Sequence, residues 1–136
     1  KALEVAIENS LELKANVSFI IADVFSYQPE RCFDLIISNP PYVLESEKKD
    51  MNMKVVAHEP PLALYVNDDN PLVYYEAITH FANQHLSHNG MLYFEINERF
   101  GNEVSSILKS NDFHSVKIDQ DLNGKERFVS GILNSN

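Results

Sequence analysis

The sequence is poor in glycine, cysteine and long apolar runs, and each shortage excludes a class of structure. Its four glycines include no G-x-G, so the chain has no glycine-rich loop of the kind that lets a backbone approach a cofactor. Cys32 is the only cysteine; it cannot form an internal disulfide and, without a Cys/His arrangement, is better read as an apolar strand-edge residue than as a catalytic thiol. No apolar run is long enough to cross a bilayer, and no signal peptide is evident. We therefore expect a cytoplasmic protein with no membrane contact.

Basic residues are also scarce. The chain has 11 lysines and arginines against 20 aspartates and glutamates, for a net charge of -9 and an isoelectric point near 4.9. Nonspecific nucleic-acid affinity comes mostly from cations that neutralise phosphates, so direct nucleic-acid binding is disfavoured and a basic protein partner is favoured. With 136 residues, 44% of them hydrophobic, the chain is long enough for one globular domain at most.

Helical and strand-like periodicities alternate along the chain, which predicts the α/β class. The predicted order is a helix over 2–13, strands over 17–22 and 33–38, a helix from Asn70-Pro71 to Asn89-Gly90, a strand over 91–96, a helix around 100–108, and an antiparallel hairpin of strands 114–118 and 127–133. The charged stretch 43–70 is either a functional lid or binding loop or a solvated excursion. The helix histidines lack the spacing of a zinc pair, so no metal site is predicted; they are His80, His85 and His88.

The segment Asn39-Pro40-Pro41-Tyr42 directly follows the apolar run 33–38. That run is typical of a strand buried on both faces of a parallel sheet, which puts Asn39 at the carboxyl end where α/β sheets bind ligands. The prolines fix their own φ angles and hold the preceding residues extended. The Asn39 side-chain oxygen and the Pro40 carbonyl then form a rigid pair of acceptors. Such a pair suits a planar –NH2 group, with the ring of Tyr42 as a flat packing surface.

A buried strand followed by Asn-Pro-Pro-Tyr resembles the signature of S-adenosylmethionine-dependent methyltransferases that modify a planar nitrogen. Further segments make the chain most similar to the protein-(glutamine-N5) methyltransferase family, known as HemK or PrmC, which methylates the glutamine of the Gly-Gly-Gln motif in peptide-chain release factors. The matching segments are Asp23-Val24-Phe25, Phe33 to Tyr42, Glu59-Pro60 with Ala63-Leu64, Glu95-Ile96, and Asp121-Leu122 with Gly124, Arg127 and Gly131. The resemblance implies an incomplete seven-stranded, Rossmann-like methyltransferase fold with a terminal antiparallel hairpin.

The resemblance also implies the substrate residues. Asn39 and Pro40 would be catalytic and take the substrate amide, while Pro41 and Tyr42 would shape its slot. Acceptors that hold both N–H bonds of an amide orient its nitrogen and favour a more nucleophilic geometry. Arg127 is not assigned to catalysis. The implied partner is a peptide-chain release factor.

The implied cofactor is S-adenosyl-L-methionine. Asp23 would accept a hydrogen bond from the adenine amino group, Val24 would pack on the ring, and Asn39 would lie near the methionyl end. The residues alone leave a second interpretation of Asp23 open, because an aspartate at the end of a strand also caps turns.

Several features of the family are missing. The chain lacks the glycine-rich loop after the first strand and the acidic residue that grips the ribose, and Asn97 and Phe100 replace a usual glycine and a frequent glutamine. We therefore expect residues 1–136 to be a single partial catalytic domain without the first two strands and the cofactor loop. Such a piece is expected to bind S-adenosylmethionine weakly or not at all and to self-associate, because strand 17–22 would have no neighbour.

Two other functions remain open at this point. A nucleic-acid amino-methyltransferase acting on adenine N6 or guanine N2 shares the Asn-Pro-Pro-Tyr logic, although the acidic charge disfavours it. A non-catalytic fragment that only binds a protein partner would explain the missing cofactor loop. The intact Asn39–Tyr42 segment favours an enzyme over this second alternative.

Overall fold

The computed structural model describes residues 2–50, with only the backbone of Asp50, and residues 59–134. The helices are α1 (Ala2–Glu12), a 3₁₀ helix (Glu45–Asp50), α2 (Pro61–Leu64), α3 (Val73–His85) and α4 (Gly101–Ser110). The strands are β1 (Phe33–Ser38), β2 (Val43–Leu44), β3 (Tyr65–Val66), β4 (Leu86–Glu95), β5 (Phe113–Gln120) and β6 (Glu126–Leu133). None of the helices in these ranges is long and apolar enough to cross a membrane.

A four-stranded sheet in the order β1-β4-β6-β5 forms the centre of the fold. Strand β4 pairs in parallel with β1, where Ser38 lies opposite Phe94, and antiparallel with β6, where Phe94 lies opposite Val129. Strands β5 and β6 form the antiparallel hairpin that the sequence predicts. A separate parallel pair joins β2 to β3 within the stretch 43–70.

One apolar cluster joins the sheet to helices α3 and α4. Every second residue from Leu92 to the end of β4 and just beyond it is fully buried, as expected for one face of a strand; these residues are Leu92, Phe94 and Ile96. The Tyr75 ring of α3 meets the Phe94 ring edge-on, with the ring centroids 5.2 Å apart. The remaining members of the cluster are Ile78, Ala82, Leu86, Val104, Leu108, Phe113, Val129 and Leu133. Helix α3 thus packs on the sheet through Tyr75, Ile78 and Ala82, which are buried.

The prediction of a strand over residues 17–22 is wrong, because none of the described strands pairs with this segment. A strand needs a neighbour to receive its backbone hydrogen bonds, and in the described part of the chain β1 pairs only with β4. The segment is also open to solvent, with Val17, Ile20 and Ile21 exposed by 52%, 58% and 85%. The apolar composition marks a segment suited to a sheet, but composition alone does not supply its partner.

The prediction that β1 is buried on both faces is also wrong. Leu35 and Ile37 are exposed by 49% and 70%, whereas Phe33 and Ile36 are half-buried and pack against the core. Within the described sheet β1 is an edge strand with one covered face.

The long helix starts later and ends earlier than predicted. Asn70-Pro71 forms a turn, and α3 begins at Val73 and ends at His85, where the chain enters β4 directly. Asn89 adopts a left-handed φ of 59° inside β4. It lies where the pairing with β1 shifts between Phe33 opposite Leu86 and Leu35 opposite Met91. A strand interruption therefore accounts for the asparagine and glycine that suggested a helix end.

Candidate functional site

The Asn39–Tyr42 turn lies at the carboxyl end of β1. Asn39 is exposed, Pro40 is buried, and Pro41 and Tyr42 are half-buried before the chain enters β2. Because β1 and β4 are parallel, the residues that follow β4 reach the same edge of the sheet. This edge is the usual ligand-binding edge of an α/β sheet.

An apolar cleft of about 450 Å³ lies beside this turn. It is lined by Ala22, Asp23, Val24, Phe25, Pro40, Pro41, Leu62, Tyr74 and Ile78. The structure thus brings the two predicted adenine-flanking residues to the two prolines, although they are far apart in sequence. Asn39 and Tyr42 are outside this lining.

Asp23 organises the turn on one side of the cleft. Its Oδ1 accepts the Phe25 N–H at 3.0 Å, and its carbonyl accepts the Tyr27 N–H at 2.8 Å. Asp23 therefore caps a turn, as the second interpretation of this residue expects. Capping occupies one carboxylate oxygen, so it is compatible with a second hydrogen bond from a ligand amino group.

Helix α3 lines the same cleft with residues that the sequence did not identify. Tyr74 of α3 packs against Phe25 with the ring centroids 5.6 Å apart. Ile78, one turn further along α3, lines the same cleft. Their i, i+4 spacing places them on one helix face, but only the folded chain reveals that this face meets the turn after Asp23.

Hydrogen bonds hold both the side chain and the backbone of Tyr42. Its hydroxyl donates to Glu95 Oε1 at 2.7 Å, and its backbone carbonyl accepts from Asn97 Nδ2 at 3.2 Å. Burial, followed by the hydrogen bond and negative charge of Glu95, raises the pKa of Tyr42 to about 12, while Arg127 acts in the opposite direction. Glu95, the last residue of β4, is half-buried.

We expect the Tyr42 hydroxyl to stay protonated in the folded protein until about pH 12. Unfolded tyrosine ionises near pH 10, so the folded state holds the proton more tightly. Its contribution to the free energy of unfolding is complete below about pH 10 and is lost as the pH rises through about 12. NMR of ring-labelled tyrosine, assigned with Tyr42→Phe, measures the titration. Tyr93→Phe is the control variant, in which the signal assigned to Tyr42 should remain. A titration midpoint near pH 10 for the Tyr42 hydroxyl would contradict the expectation.

Tyr42 lines a second, polar cleft of about 510 Å³. It is lined by Tyr42, Val43, Glu47, Asn97, Glu98, Arg99, Lys125 and Arg127. The three cations pair with Glu47, Glu98 and Asp121 at 3.1, 2.9 and 3.6 Å. Arg127 also donates to the Ile96 carbonyl at 3.4 Å, which fits a structural residue. No group of three metal-ligating side chains occurs in the ranges that the structure describes.

The chain is similar to curated release factor glutamine methyltransferases. It is 39% identical to the one from Bacteroides thetaiotaomicron over 132 residues, covering 96% of this chain and 48% of that protein. It is 38% identical to the one from Flavobacterium psychrophilum over 130 residues, covering 95% of this chain and 46% of that protein. Residues 1–59 also match the family described as Methyltransferase small domain. The chain spans about half the length of the curated relatives it matches.

Solved structures support the fold. A methyltransferase from Pyrococcus furiosus matches with a TM-score of 0.63 at 17% identity, covering 97% of this chain and 57% of that one. The release-factor-specific protein-(glutamine-N5) methyltransferase from Alicyclobacillus acidocaldarius matches with a TM-score of 0.50 at 18% identity, covering 78% of this chain and 52% of that one. The predicted α/β, Rossmann-like methyltransferase fold is confirmed. The chain is thus similar over nearly its whole length to release factor glutamine methyltransferases, and it corresponds to about half of their length.

Proposed function

We propose that this chain is the C-terminal part of the catalytic domain of an S-adenosylmethionine-dependent protein-(glutamine-N5) methyltransferase. The full-length protein methylates the side-chain amide nitrogen of the Gly-Gly-Gln glutamine in peptide-chain release factors, in the cytoplasm. The observation that carries the proposal is the Asn39–Tyr42 turn at the carboxyl end of β1, next to the apolar cleft that Asp23 borders. The named relatives support the choice of a release factor as substrate.

The turn supplies the substrate end of the site. The Asn39 side-chain oxygen and the Pro40 carbonyl accept the two N–H bonds of the glutamine amide, so the nitrogen is oriented before it reacts. Pro40 is buried and Pro41 follows it directly, so the acceptors need little reorganisation at the moment of reaction. The exposed position of Asn39 leaves it accessible to a protein substrate.

The apolar cleft fits the adenine of S-adenosylmethionine. Its described lining is largely apolar and aromatic, and Asp23 is the one charged side chain among the described lining residues; this combination suits a flat ring that carries an amino group. Asp23 and Val24 would flank the adenine, opposite Tyr74. When bound, the cofactor supplies the methyl group. Residues for the ribose and the methionine moiety come, in this proposal, from the glycine-rich loop and second strand of the full-length protein.

Transfer of a labelled methyl group tests the function. The full-length protein is incubated with a peptide-chain release factor, with the same factor carrying Gln→Ala in its Gly-Gly-Gln motif, and with RNA and DNA. We expect label on the native release factor alone, located on the glutamine amide by mass spectrometry. Label in nucleic acid only would favour the amino-methyltransferase alternative, and no transfer to any substrate would favour a non-catalytic protein.

A further inference from the structure

A buried asparagine at the end of β4 connects to the Asn39–Tyr42 turn. Asn97 is 8% exposed. Its Nδ2 donates to the Tyr42 carbonyl and to Glu47 Oε2, each at 3.2 Å, and its Oδ1 accepts the Arg99 N–H at 3.1 Å. A buried amide that uses both its donor and its acceptor side fixes the segments it joins.

Glu47 completes this connection from the 3₁₀ helix. Its Oε2 also accepts the Leu44 N–H at 3.2 Å, and its Oε1 accepts from Arg99 Nη1 at 3.1 Å. The side chains of Asn97 and Glu47 therefore hold the backbone on both sides of Val43. The hydrogen bonds to Glu47 have a carboxylate as acceptor, and such bonds are stronger than those between neutral groups when the carboxylate is ionised.

The backbone between this network and the acceptor carbonyl is stiff. Tyr42 follows two prolines whose φ angles are fixed by their rings. Its hydroxyl is fastened to Glu95 and its carbonyl to Asn97. Between the Pro40 and Tyr42 carbonyls only the ψ angle of Pro41 and the φ and ψ angles of Tyr42 can rotate, and the two hydrogen bonds of Tyr42 restrict these angles. Releasing the Tyr42 carbonyl therefore loosens the Pro40 carbonyl as well.

We propose that Asn97 is a positioning residue. Its hydrogen bond to the Tyr42 carbonyl holds the Pro40 carbonyl in place for methyl transfer. This inference rests on the proposed function. Asn97 lines the polar cleft and does not line the apolar one, so in this proposal it acts on the turn and not on the cofactor.

The kinetic test uses Asn97→Ala, Asn97→Asp and Lys125→Met in the full-length protein. We expect Asn97→Ala to lower kcat about tenfold, because a small misplacement of a reacting geometry is costly, with the cofactor Kd changed less than twofold. Asn97→Asp keeps the shape and loses the donors, so it should not restore kcat. Lys125 pairs with Glu98 in the same cleft, without an interaction with the turn, and its variant should match the wild type. An unchanged kcat in both Asn97 variants would overturn the proposal.

Amide hydrogen exchange gives a readout that does not require activity. In Asn97→Ala we expect the Leu44 and Arg99 amides to exchange about tenfold faster, with the amides of α3 unchanged. Equal exchange at Leu44 in variant and wild type would overturn the proposal whatever the kinetics show. If the wild type fails to methylate a release factor, the proposed function fails; faster exchange would then still establish that Asn97 holds the turn, and its role in transfer would be refuted.

Discussion

Replacing Asn39 with alanine in the full-length protein is expected to lower kcat for glutamine methylation by about 100- to 1,000-fold. In the proposed mechanism the substitution removes one of the two acceptors that orient the amide, an interaction that matters most as the nitrogen reacts. The cofactor Kd should rise by only a few-fold, because the proposed adenine cleft is lined by Asp23 and Val24 and not by Asn39. Steady-state kinetics together with calorimetric titration of the cofactor separate the two effects.

Two variants sharpen this test. Asn39→Asp keeps an acceptor oxygen at the same place and should retain more turnover than Asn39→Ala. Asn123→Ala changes an exposed asparagine in the β5–β6 turn and should leave kcat unaltered. If Asn39→Ala turned over at the wild-type rate, the amide-holding mechanism would be refuted.

Residues 1–136 expressed alone are expected to bind S-adenosylmethionine at least about 100-fold more weakly than the full-length protein, and to self-associate. The sequence has no G-x-G loop, so backbone contacts to the cofactor are missing in the isolated piece. Strand β1 is an edge of the described sheet with Leu35 and Ile37 exposed. The other edge, β5, carries exposed charged or polar side chains that discourage pairing; they are His114, Lys117 and Asp119.

Calorimetry and analytical ultracentrifugation measure the two properties. Ile37→Lys places a charge on the exposed edge and should shift the isolated chain toward monomer. Leu122→Lys is the matched control, since Leu122 is fully exposed on the hairpin turn, away from β1, and should leave association unchanged. Micromolar cofactor binding by a monomer of residues 1–136 would contradict this prediction.

Local signals predicted the elements whose partners lie close in sequence. The hairpin is one case: Asp121 accepts the Asn123 and Gly124 N–H groups, and Gly124 takes a φ of +80° that favours glycine. Helix α3 is another, because its apolar stripe has one face to bury, and Tyr75 and Ile78 are buried there. Both predictions require only the spacing of residues within one segment.

The failures concern features that depend on distant neighbours. An apolar run predicts a buried strand, but the exposure of Leu35 and Ile37 depends on whether a further strand covers β1. The Asn70-Pro71 pair predicts the start of a helix, but these residues form a turn and α3 begins at Val73. Local sequence cannot specify these outcomes, because tertiary contacts decide between several allowed local conformations.

The sequence predicts individual residues of the candidate site, but it does not predict the contacts between them. Asn-Pro-Pro-Tyr after a strand and Asp23 after an apolar run were visible as side chains at strand ends. Their meeting around one cleft depends on the path of the chain between them. The hydrogen bonds of Asn97 to Tyr42 and Glu47 span 55 and 50 positions, and no local pattern encodes such a contact.

The most direct test of the account is a crystal structure of the full-length protein with a Gly-Gly-Gln peptide and S-adenosylhomocysteine. We predict that the glutamine amide nitrogen lies about 3 Å from both the Asn39 side-chain oxygen and the Pro40 carbonyl oxygen, with the adenine between Val24 and Tyr74. An ordered glutamine whose amide nitrogen binds other groups, away from Asn39 and Pro40, would contradict the account.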